Sequence, residues 1–310
     1  MIYQPLASSS LKAILKMIEV GVPYAFPTRN PFESAILAEH GVRWIEFQSA
    51  EETPPCKLTG WACRPGGALG TVFLLHGFRE HSYNLYIVEA AERFTKLGFA
   101  VIAMDFRYHG KSEKRLPTFG FAESLDVAGA MNWAEAEGFP KPFILHGGSM
   151  GALAAQVCAV RDTRVAGAFL KSSPASASIA LANCLQAGGL KLRLPGQLKV
   201  LTSAINATYG YDVIHWGCVK SYPGSPDHRP RAFYAIGQHE EYGYDATRSA
   251  FDHWYQEENV TLEVPPAAAW EQSKWFRTAW EGSHAFGLDY YPEMDTDVVD
   301  FFKLLTSSNR

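Results

Sequence analysis

The sequence predicts an α/β protein, with a mostly parallel sheet of eight strands flanked by helices. Short apolar runs typical of buried strands alternate with helical segments, an order that implies parallel strands joined by right-handed crossovers. The chain has 310 residues, of which 47% are hydrophobic and 19% are charged. It is therefore long enough and apolar enough to bury a large core.

The elements are predicted from apolar periodicity and from the Gly and Pro residues that interrupt it. The first two strands are expected to form an antiparallel entry to the sheet. The predicted strands are 42–49, 58–63, 71–75, 99–104, 142–145, 165–170, 233–236 and 275–280. The predicted helices after residue 30 are 85–97, 122–137, 150–160, 247–257 and 296–305.

Two segments lie outside this alternation. Residues 1–30 carry apolar side chains at helical spacing and predict an N-terminal helical extension to a main domain of residues 31–310. We expect this helix to pack on its own domain; a homodimer contact and a contact with a membrane surface are the alternatives. Residues 173–230 interrupt the α/β pattern, and an insertion of this length predicts a helical lid or cap.

The composition excludes several classes of protein. The net charge is −4 and no basic stretch is present, so no nucleic-acid partner is expected. No apolar run approaches the roughly 18 residues that an integral membrane segment needs. The first residues lack the pattern of a secretory signal, so we expect a cytoplasmic protein.

The cysteines indicate neither a disulfide framework nor a metal site. Their number is odd, their spacing is scattered and no C-x-x-C motif occurs. We expect buried or partly buried free thiols and no bound metal. The five residues are Cys56, Cys63, Cys158, Cys184 and Cys218.

Residues 147–151, Gly-Gly-Ser-Met-Gly, match the motif G-x-S-x-G. In this motif a strained strand-to-helix turn exposes a nucleophilic serine, here Ser149. The motif follows an apolar strand and opens a helix of small residues, as this chemistry requires. The alternative is a glycine-rich turn in which Ser149 only caps the helix.

An oxyanion hole needs two backbone N–H groups near the serine. One is expected from Met150, directly after the nucleophile. The other is expected from Phe78, in the sequence His76-Gly77-Phe78 that ends an earlier strand. The side chain of His76 is expected to be structural.

In folds that carry a nucleophilic serine on such a strand-to-helix turn, the acid and then the histidine follow later in the chain. His284 lies in a loop between the last strand and the last helix, which makes it the predicted general base. His239 is the second choice, although it is more naturally placed in the loop of the acid. The histidines after Ser149 are His215, His228, His239, His253 and His284.

The acid should follow the strand at 233–236. Glu240 is the predicted acid, and it would orient His284 and stabilise its protonated form. Glu241 and Asp245 are the alternatives. A Ser-His-Glu triad of this kind forms an acyl-enzyme intermediate.

These residues resemble the α/β-hydrolase superfamily, and within it the monoacylglycerol-lipase and serine-aminopeptidase type of hydrolase. The resemblance rests on residues 76–82, 105–112, 147–151 and 283–286. It implies an α/β-hydrolase fold and a serine hydrolase without a cofactor. It also implies that Asp105 and His109 belong to a structural turn.

Three features depart from the family pattern. Gly148 stands where the family often has a histidine, and Glu240 stands where it usually has an aspartate. The approach to the last strand, residues 259–273, is unusually long. The insertion at 173–230 matches no assignable lid, so the resemblance does not supply a substrate.

The predicted activity is hydrolysis of carboxylic esters, as in carboxylesterases and lipases, with a small apolar ester or acyl compound as substrate. Leu, Ile and Ala in the insertion, with Tyr209, Tyr211 and Trp216 at its end, favour an apolar guest. The same triad also serves an amidase, a peptidase, a lactonase or a carbon–carbon bond hydrolase. A non-catalytic binding protein of this fold is the remaining alternative.

Overall fold

The computed structural model describes residues 27–115, 117–174, 203, 230–237, 276–279 and 292–307. The described chain forms an eight-stranded sheet with helices on both faces. The α/β fold with a mostly parallel eight-stranded sheet, predicted from the sequence, is confirmed.

The elements are numbered in chain order. The strands are β1 (Arg43–Gln48), β2 (Lys57–Cys63), β3 (Thr71–Leu75), β4 (Ala100–Asp105), β5 (Phe143–Gly148), β6 (Val165–Lys171), β7 (Arg231–Gly237) and β8 (Phe276–Ala279). The helices are α1 (Ala35–Glu39), α2 (Leu85–Lys96), α3 (Phe121–Ala136), α4 (Met150–Arg161) and α5 (Pro292–Ser307). A short 3-10 turn, Pro31–Glu33, precedes α1.

The strands follow the order β1-β2-β4-β3-β5-β6-β7-β8 across the sheet. The pairs β1–β2 and β2–β4 are antiparallel, which confirms the antiparallel entry, and every later pair is parallel. Strands β3 to β8 therefore end at one edge of the sheet. In sheets of this type, that carboxyl edge is where ligands bind.

Burial along the strands explains why their sequences differ. Every residue of β3, β4 and β5 is buried, because helices cover both faces of a parallel sheet. The edge strand β1 instead alternates, with Ile45 and Phe47 buried and Trp44 and Glu46 exposed.

The core forms two layers, one on each face of the sheet. Helices α3 and α4 cover one face, where Met131 and Leu153 belong to the same apolar cluster. Helices α2 and α5 cover the other, where the rings of Phe94 and Phe302 lie 4.6 Å apart. Helix α4 is buried from Met150 to Val160, which explains its small side chains.

Most predicted boundaries differ from the structure by one or two residues, and β5 and α5 differ by more. The apolar run that predicts β5 stops at Leu145, yet the strand continues to Gly148 because Gly148 pairs with Lys171 of β6. Helix α5 begins at Pro292 rather than at 296, since proline is well suited to a first helical turn.

Several predictions lie outside the described residues. These are the N-terminal helix up to residue 26, the helix at 247–257 and the lid at 173–230 apart from residues 173–174, 203 and 230. Residues 27–30 run beside the start of α2, where Arg29 N–H donates to Tyr83 O at 2.9 Å. Among the helices that the structure describes, none is long and apolar enough to cross a membrane.

Candidate active site

Ser149 lies at the turn between β5 and α4, at the carboxyl edge of the sheet. Its φ of 52° and ψ of −118° are values that an L-amino acid rarely adopts. The residue is half-buried, and its side chain makes no capping hydrogen bond to the helix. The Ser149 hydroxyl therefore does not serve as the cap of α4.

The glycines on either side of Ser149 are required by close backbone contacts. A Cβ on Gly147 would lie 2.6 Å from the carbonyl carbon of Gly151. A Cβ on Gly151 would lie 2.3 Å from the carbonyl oxygen of Leu75, at the end of β3. Both distances are far below van der Waals contact, so only glycine at these two positions allows α4 to begin directly against β5 and β3.

Backbone hydrogen bonds fix the turn from both sides. The Ser149 N–H donates to Lys171 O of β6 at 2.9 Å, and the Leu153 N–H donates to Ser149 O at 3.1 Å. Ser149 thus precedes the first turn of a 12-residue helix. The N-terminus of such a helix favours negative charge, because its N–H groups have no partners within the helix.

The loop after β3, residues 76–80, begins with His76 in a fixed tautomer. His76 Nδ1 donates to Gly77 O at 2.7 Å, and the Phe106 N–H donates to His76 Nε2 at 3.1 Å. The ring is fully buried, and burial lowers the pKa of His76 well below its usual value. His76 is therefore neutral and joins the 76–80 loop to the end of β4, a structural role.

The peptide group between Gly77 and Phe78 takes its orientation from these bonds. Gly77 O accepts from His76 Nδ1 and also from the Glu80 N–H at 3.4 Å. In a trans peptide the C=O and the N–H point in opposite directions, so the Phe78 N–H is turned away from these donors. The Phe78 N–H is not a donor in any of these hydrogen bonds that hold the loop.

The two residues expected to form the oxyanion hole are anchored by their side chains. Phe78 is 6% exposed, and its ring lies 5.5 Å from the ring of His109 and 5.1 Å from that of Phe119. Met150 is 3% exposed and belongs to the core between the sheet and α3. Such packing holds backbone donors in place without using their N–H groups.

The segment after β4 contains scaffold contacts, in agreement with the sequence interpretation of Asp105 and His109. The Asp105 carboxylate accepts the N–H groups of Ser82 at 2.7 Å and Lys111 at 2.9 Å. His109 Nδ1 donates to Arg107 O at 2.8 Å. Burial lowers the pKa of His109 to about 4, so the ring is neutral.

Sequence reasoning did not reveal the contacts of several buried charged groups near this edge, among them Arg107 and Glu80. Arg107 is 1% exposed and forms ion pairs with Asp126 of α3 at 2.6 Å and with Glu52 at 2.8 Å. Glu80 belongs to a motif that supported the resemblance, but its position in the sequence did not reveal its contacts. The packing of α2 against the 76–80 loop brings the Tyr86 hydroxyl to it.

The predicted base and acid lie outside the described residues. These are His284, Glu240, the alternative acids Glu241 and Asp245, and His239. The structure does describe the strands that precede them, because β7 ends at Gly237 and β8 ends at Ala279. Both strands end at the same edge of the sheet as Ser149.

The described cysteines are free and buried, which confirms the expectation for Cys56, Cys63 and Cys158. Burial raises the pKa of Cys56 to about 12 and that of Cys63 to about 11. These thiols are therefore protonated at neutral pH. In the ranges that the structure covers, no group of three His, Cys, Asp or Glu side chains is placed to bind a metal.

Solved structures with a similar fold include three hydrolases. The esterase Pf2001 of Pyrococcus furiosus is 20% identical, covering 91% of this chain and 98% of that chain, with a TM-score of 0.61. Est1E of Butyrivibrio proteoclasticus, solved with ferulic acid, is 18% identical over 82% and 96%, with a TM-score of 0.56. The α/β hydrolase GrgF from Penicillium sp. sh18 is 13% identical over 86% and 98%, with a TM-score of 0.55.

The strand order, the strand-to-helix turn at Ser149 and these likenesses show that the chain has the α/β-hydrolase fold. Residues 66–204, which include Ser149, match the profile of the serine aminopeptidase family S33. This match confirms the resemblance found in the sequence. A comparison with curated proteins gave no match.

Proposed function

We propose that the protein is a serine hydrolase that cleaves carboxylic esters, with Ser149 as the nucleophile. The observation that carries the proposal is the conformation of Ser149, a non-glycine residue at positive φ between a buried strand and a buried helix. Such strain persists only where the surrounding structure enforces it, and it is concentrated at functional sites. Here the backbone hydrogen bonds of Ser149 and the close backbone packing at Gly147 and Gly151 supply that enforcement.

In the proposed reaction, Ser149 Oγ attacks the ester carbonyl carbon while His284 accepts the hydroxyl proton. The tetrahedral intermediate collapses, the bond to the alcohol breaks and His284 returns the proton to the departing alcohol. Water then attacks the acyl-enzyme by the same route, releasing the acid and restoring Ser149. Glu240 is the proposed partner that orients His284, and Glu241 and Asp245 are the alternatives.

The proposed oxyanion hole consists of the N–H groups of Phe78 and Met150. Support comes from the packing of both side chains and from the orientation of the Gly77–Phe78 peptide. The start of α4 adds a favourable potential for negative charge beside Ser149. In comparable sites, loss of one such donor costs about 10²–10³ in kcat.

Two observations bear on the bond that is cleaved. The similar structures include two esterases, one with a bound aromatic acid, which favours ester substrates. The match to the serine aminopeptidase family favours a second candidate, hydrolysis of amide bonds at a peptide N-terminus. The proposed triad serves both reactions, so the substrate pocket decides between them.

The test is hydrolysis of p-nitrophenyl esters from acetate to laurate, with aminoacyl p-nitroanilides in parallel. Ser149→Ala and His284→Ala are each expected to lower kcat by about 10⁴-fold or more, because the members of a triad act as a unit. Ser124→Ala is the matched control, since this hydroxyl only donates to Phe121 O within α3. Folding of each variant is checked by its thermal melting.

The outcomes separate the candidates. Ester turnover that depends on Ser149 supports the proposal, and its dependence on chain length measures the acyl pocket. Turnover of the anilides alone favours the aminopeptidase candidate. A folded Ser149→Ala protein that keeps more than a few per cent of the activity contradicts the assignment of the nucleophile.

A further inference from the structure

A buried carboxylate lies beside the peptide group that carries one proposed oxyanion donor. Glu80 is 8% exposed and closes the 76–80 loop. Its Oε2 atom accepts hydrogen bonds from the Gly77 N–H and from the hydroxyl of Tyr86. Because Gly77 directly precedes Phe78, this carboxylate constrains the chain one residue before the donor.

Gly77 is held at both of its backbone groups. Its N–H donates to Glu80, and its carbonyl oxygen accepts from His76 Nδ1 and from the Glu80 N–H. A Cβ at Gly77 would lie 2.8 Å from Glu80 Oε2, so the carboxylate packs directly on the backbone. The peptide groups before and after Gly77 are therefore both fixed, including the one that bears the Phe78 N–H.

A series of contacts connects Glu80 with the proposed nucleophile, Ser149. Tyr86 lies in α2 and is 8% exposed, and Nζ of the fully buried Lys171 lies 5.1 Å from the centre of its ring. The carbonyl oxygen of Lys171 accepts the Ser149 N–H at 2.9 Å. A buried chain of contacts thus runs from the 76–80 loop through α2 and β6 to the turn that bears Ser149.

We propose that Glu80 and Tyr86 are positioning residues, which hold the Phe78 N–H in a fixed relation to the Met150 N–H and to Ser149. The inference rests on the proposed function, because it concerns the oxyanion hole of that reaction. Donors in such a hole act by being oriented before the charge develops. Fixed contacts to the chain around the donors maintain such an orientation.

Four variants separate positioning from general stability. Glu80→Ala removes the acceptor of both hydrogen bonds, whereas Glu80→Gln keeps an amide oxygen that can accept them. Tyr86→Phe removes only the hydroxyl that donates to Glu80. Tyr83→Phe is the matched control, because it removes the hydroxyl of a half-buried tyrosine that lies just before α2 and outside this chain of contacts.

We expect Glu80→Ala to lower kcat by about 30- to 100-fold, in line with the cost of a small misplacement of catalytic groups. Tyr86→Phe should lower kcat by about 5- to 10-fold, since the carboxylate keeps its bond to Gly77. Glu80→Gln and Tyr83→Phe should stay within about threefold of the wild type, and KM should change by no more than about twofold in all four.

Two further measurements detect a change that a purely structural role would not produce. Inhibition by an arylboronic acid should weaken in parallel with the loss of kcat/KM, because its tetrahedral adduct uses the same oxyanion donors. Hydrogen exchange of the peptide covering residues 76–84 should speed up in Glu80→Ala at unchanged thermal stability. The exchange measurement does not depend on turnover.

Three results would overturn the inference: unchanged kcat in Glu80→Ala, a rise in KM alone, or a Glu80→Gln protein as impaired as Glu80→Ala. Should Glu80→Ala not fold, Tyr86→Phe against Tyr83→Phe decides the question. Absence of Ser149-dependent turnover in the wild type would instead overturn the proposed function. Hydrogen exchange would then still decide whether Glu80 and Tyr86 hold the loop.

Discussion

At the scale of single residues, the candidate site depends on positions where any side chain would be too large. Strain at a residue such as Ser149 is of the order of 1–3 kcal/mol and has to be maintained by its surroundings. The surroundings here are backbone atoms: Gly147 of β5 lies against the start of α4, and Gly151 of α4 lies against the end of β3. The G-x-S-x-G pattern predicts this turn from the sequence because glycine is required wherever the backbone makes so close a contact.

Gly151→Ala tests this contact. The added methyl group would lie 2.3 Å from Leu75 O, so α4 must shift away from β3. We expect a loss of about 1–3 kcal/mol in the free energy of unfolding, together with a large fall in kcat. Gly66→Ala is the control, because no atom lies within 4 Å of a Cβ at that position and its φ is not positive.

Urea unfolding and ester turnover measure the two effects. Wild-type kcat in a folded Gly151→Ala protein would show that the turn tolerates a displaced helix.

At the scale of elements, a buried ion cluster connects the loop after β4 to its neighbours. Arg107 contacts Asp126 of α3 and Glu52 of the β1–β2 connection, and all three side chains are at most 10% exposed. Removing the guanidinium leaves two buried carboxylates without the positive charge that faces them, which is costly in a medium of low dielectric. The cluster therefore ties the antiparallel entry of the sheet to its parallel part.

Arg107→Met is expected to lower the free energy of unfolding by about 3–5 kcal/mol. Arg43→Met is the comparison, because the pair of Arg43 and Glu137 is 54% and 40% exposed and should contribute no more than about 1 kcal/mol. Chemical denaturation of both proteins gives the two values. Equal losses would show that burial does not set the strength of these pairs.

The elements were predictable from the sequence to the extent that a local pattern encodes them. Continuous apolar runs predicted β3 and β4, because burial on both faces leaves no polar positions. The end of β5 was not predictable, since its last residues, His146 to Gly148, are ordered by pairing with β6. The contacts of Glu80 were hidden for the same reason: Tyr86 reaches it only through the packing of α2.

At the scale of the whole molecule, buried histidines couple folding to pH. His76 and His109 are both neutral in the core, with ring centres 5.1 Å apart. Burial lowers the pKa of His109 to about 4, whereas an unfolded chain titrates near 6.5. As the pH falls below about 6.5, the unfolded chain binds a proton that the folded protein does not, so stability falls until about pH 4.

His109→Asn should make the protein less sensitive to acid. The difference between the two pKa values corresponds to about 3 kcal/mol at pH 4, and His76 acts in the same direction. Urea unfolding between pH 7.5 and 4.5 measures the slope. Carboxylates that titrate in the same range are present in both proteins, so their contribution to the slope cancels in the comparison with the wild type. Equal slopes in the two proteins would exclude His109 as a source of the acid sensitivity.

The order of the strands also has a consequence for how active molecules arise. The 76–80 loop and the Ser149 turn follow β3 and β5. These strands are neighbours in the sheet although they are far apart along the chain, since Thr71 pairs with Phe143. Contacts between such distant parts of a chain form slowly, because a long loop has to close first. A variant that weakens the pairing of β3 with β5 should therefore yield fewer competent molecules, each turning over at the normal rate. Titration of active sites would reveal this as a reduced burst amplitude.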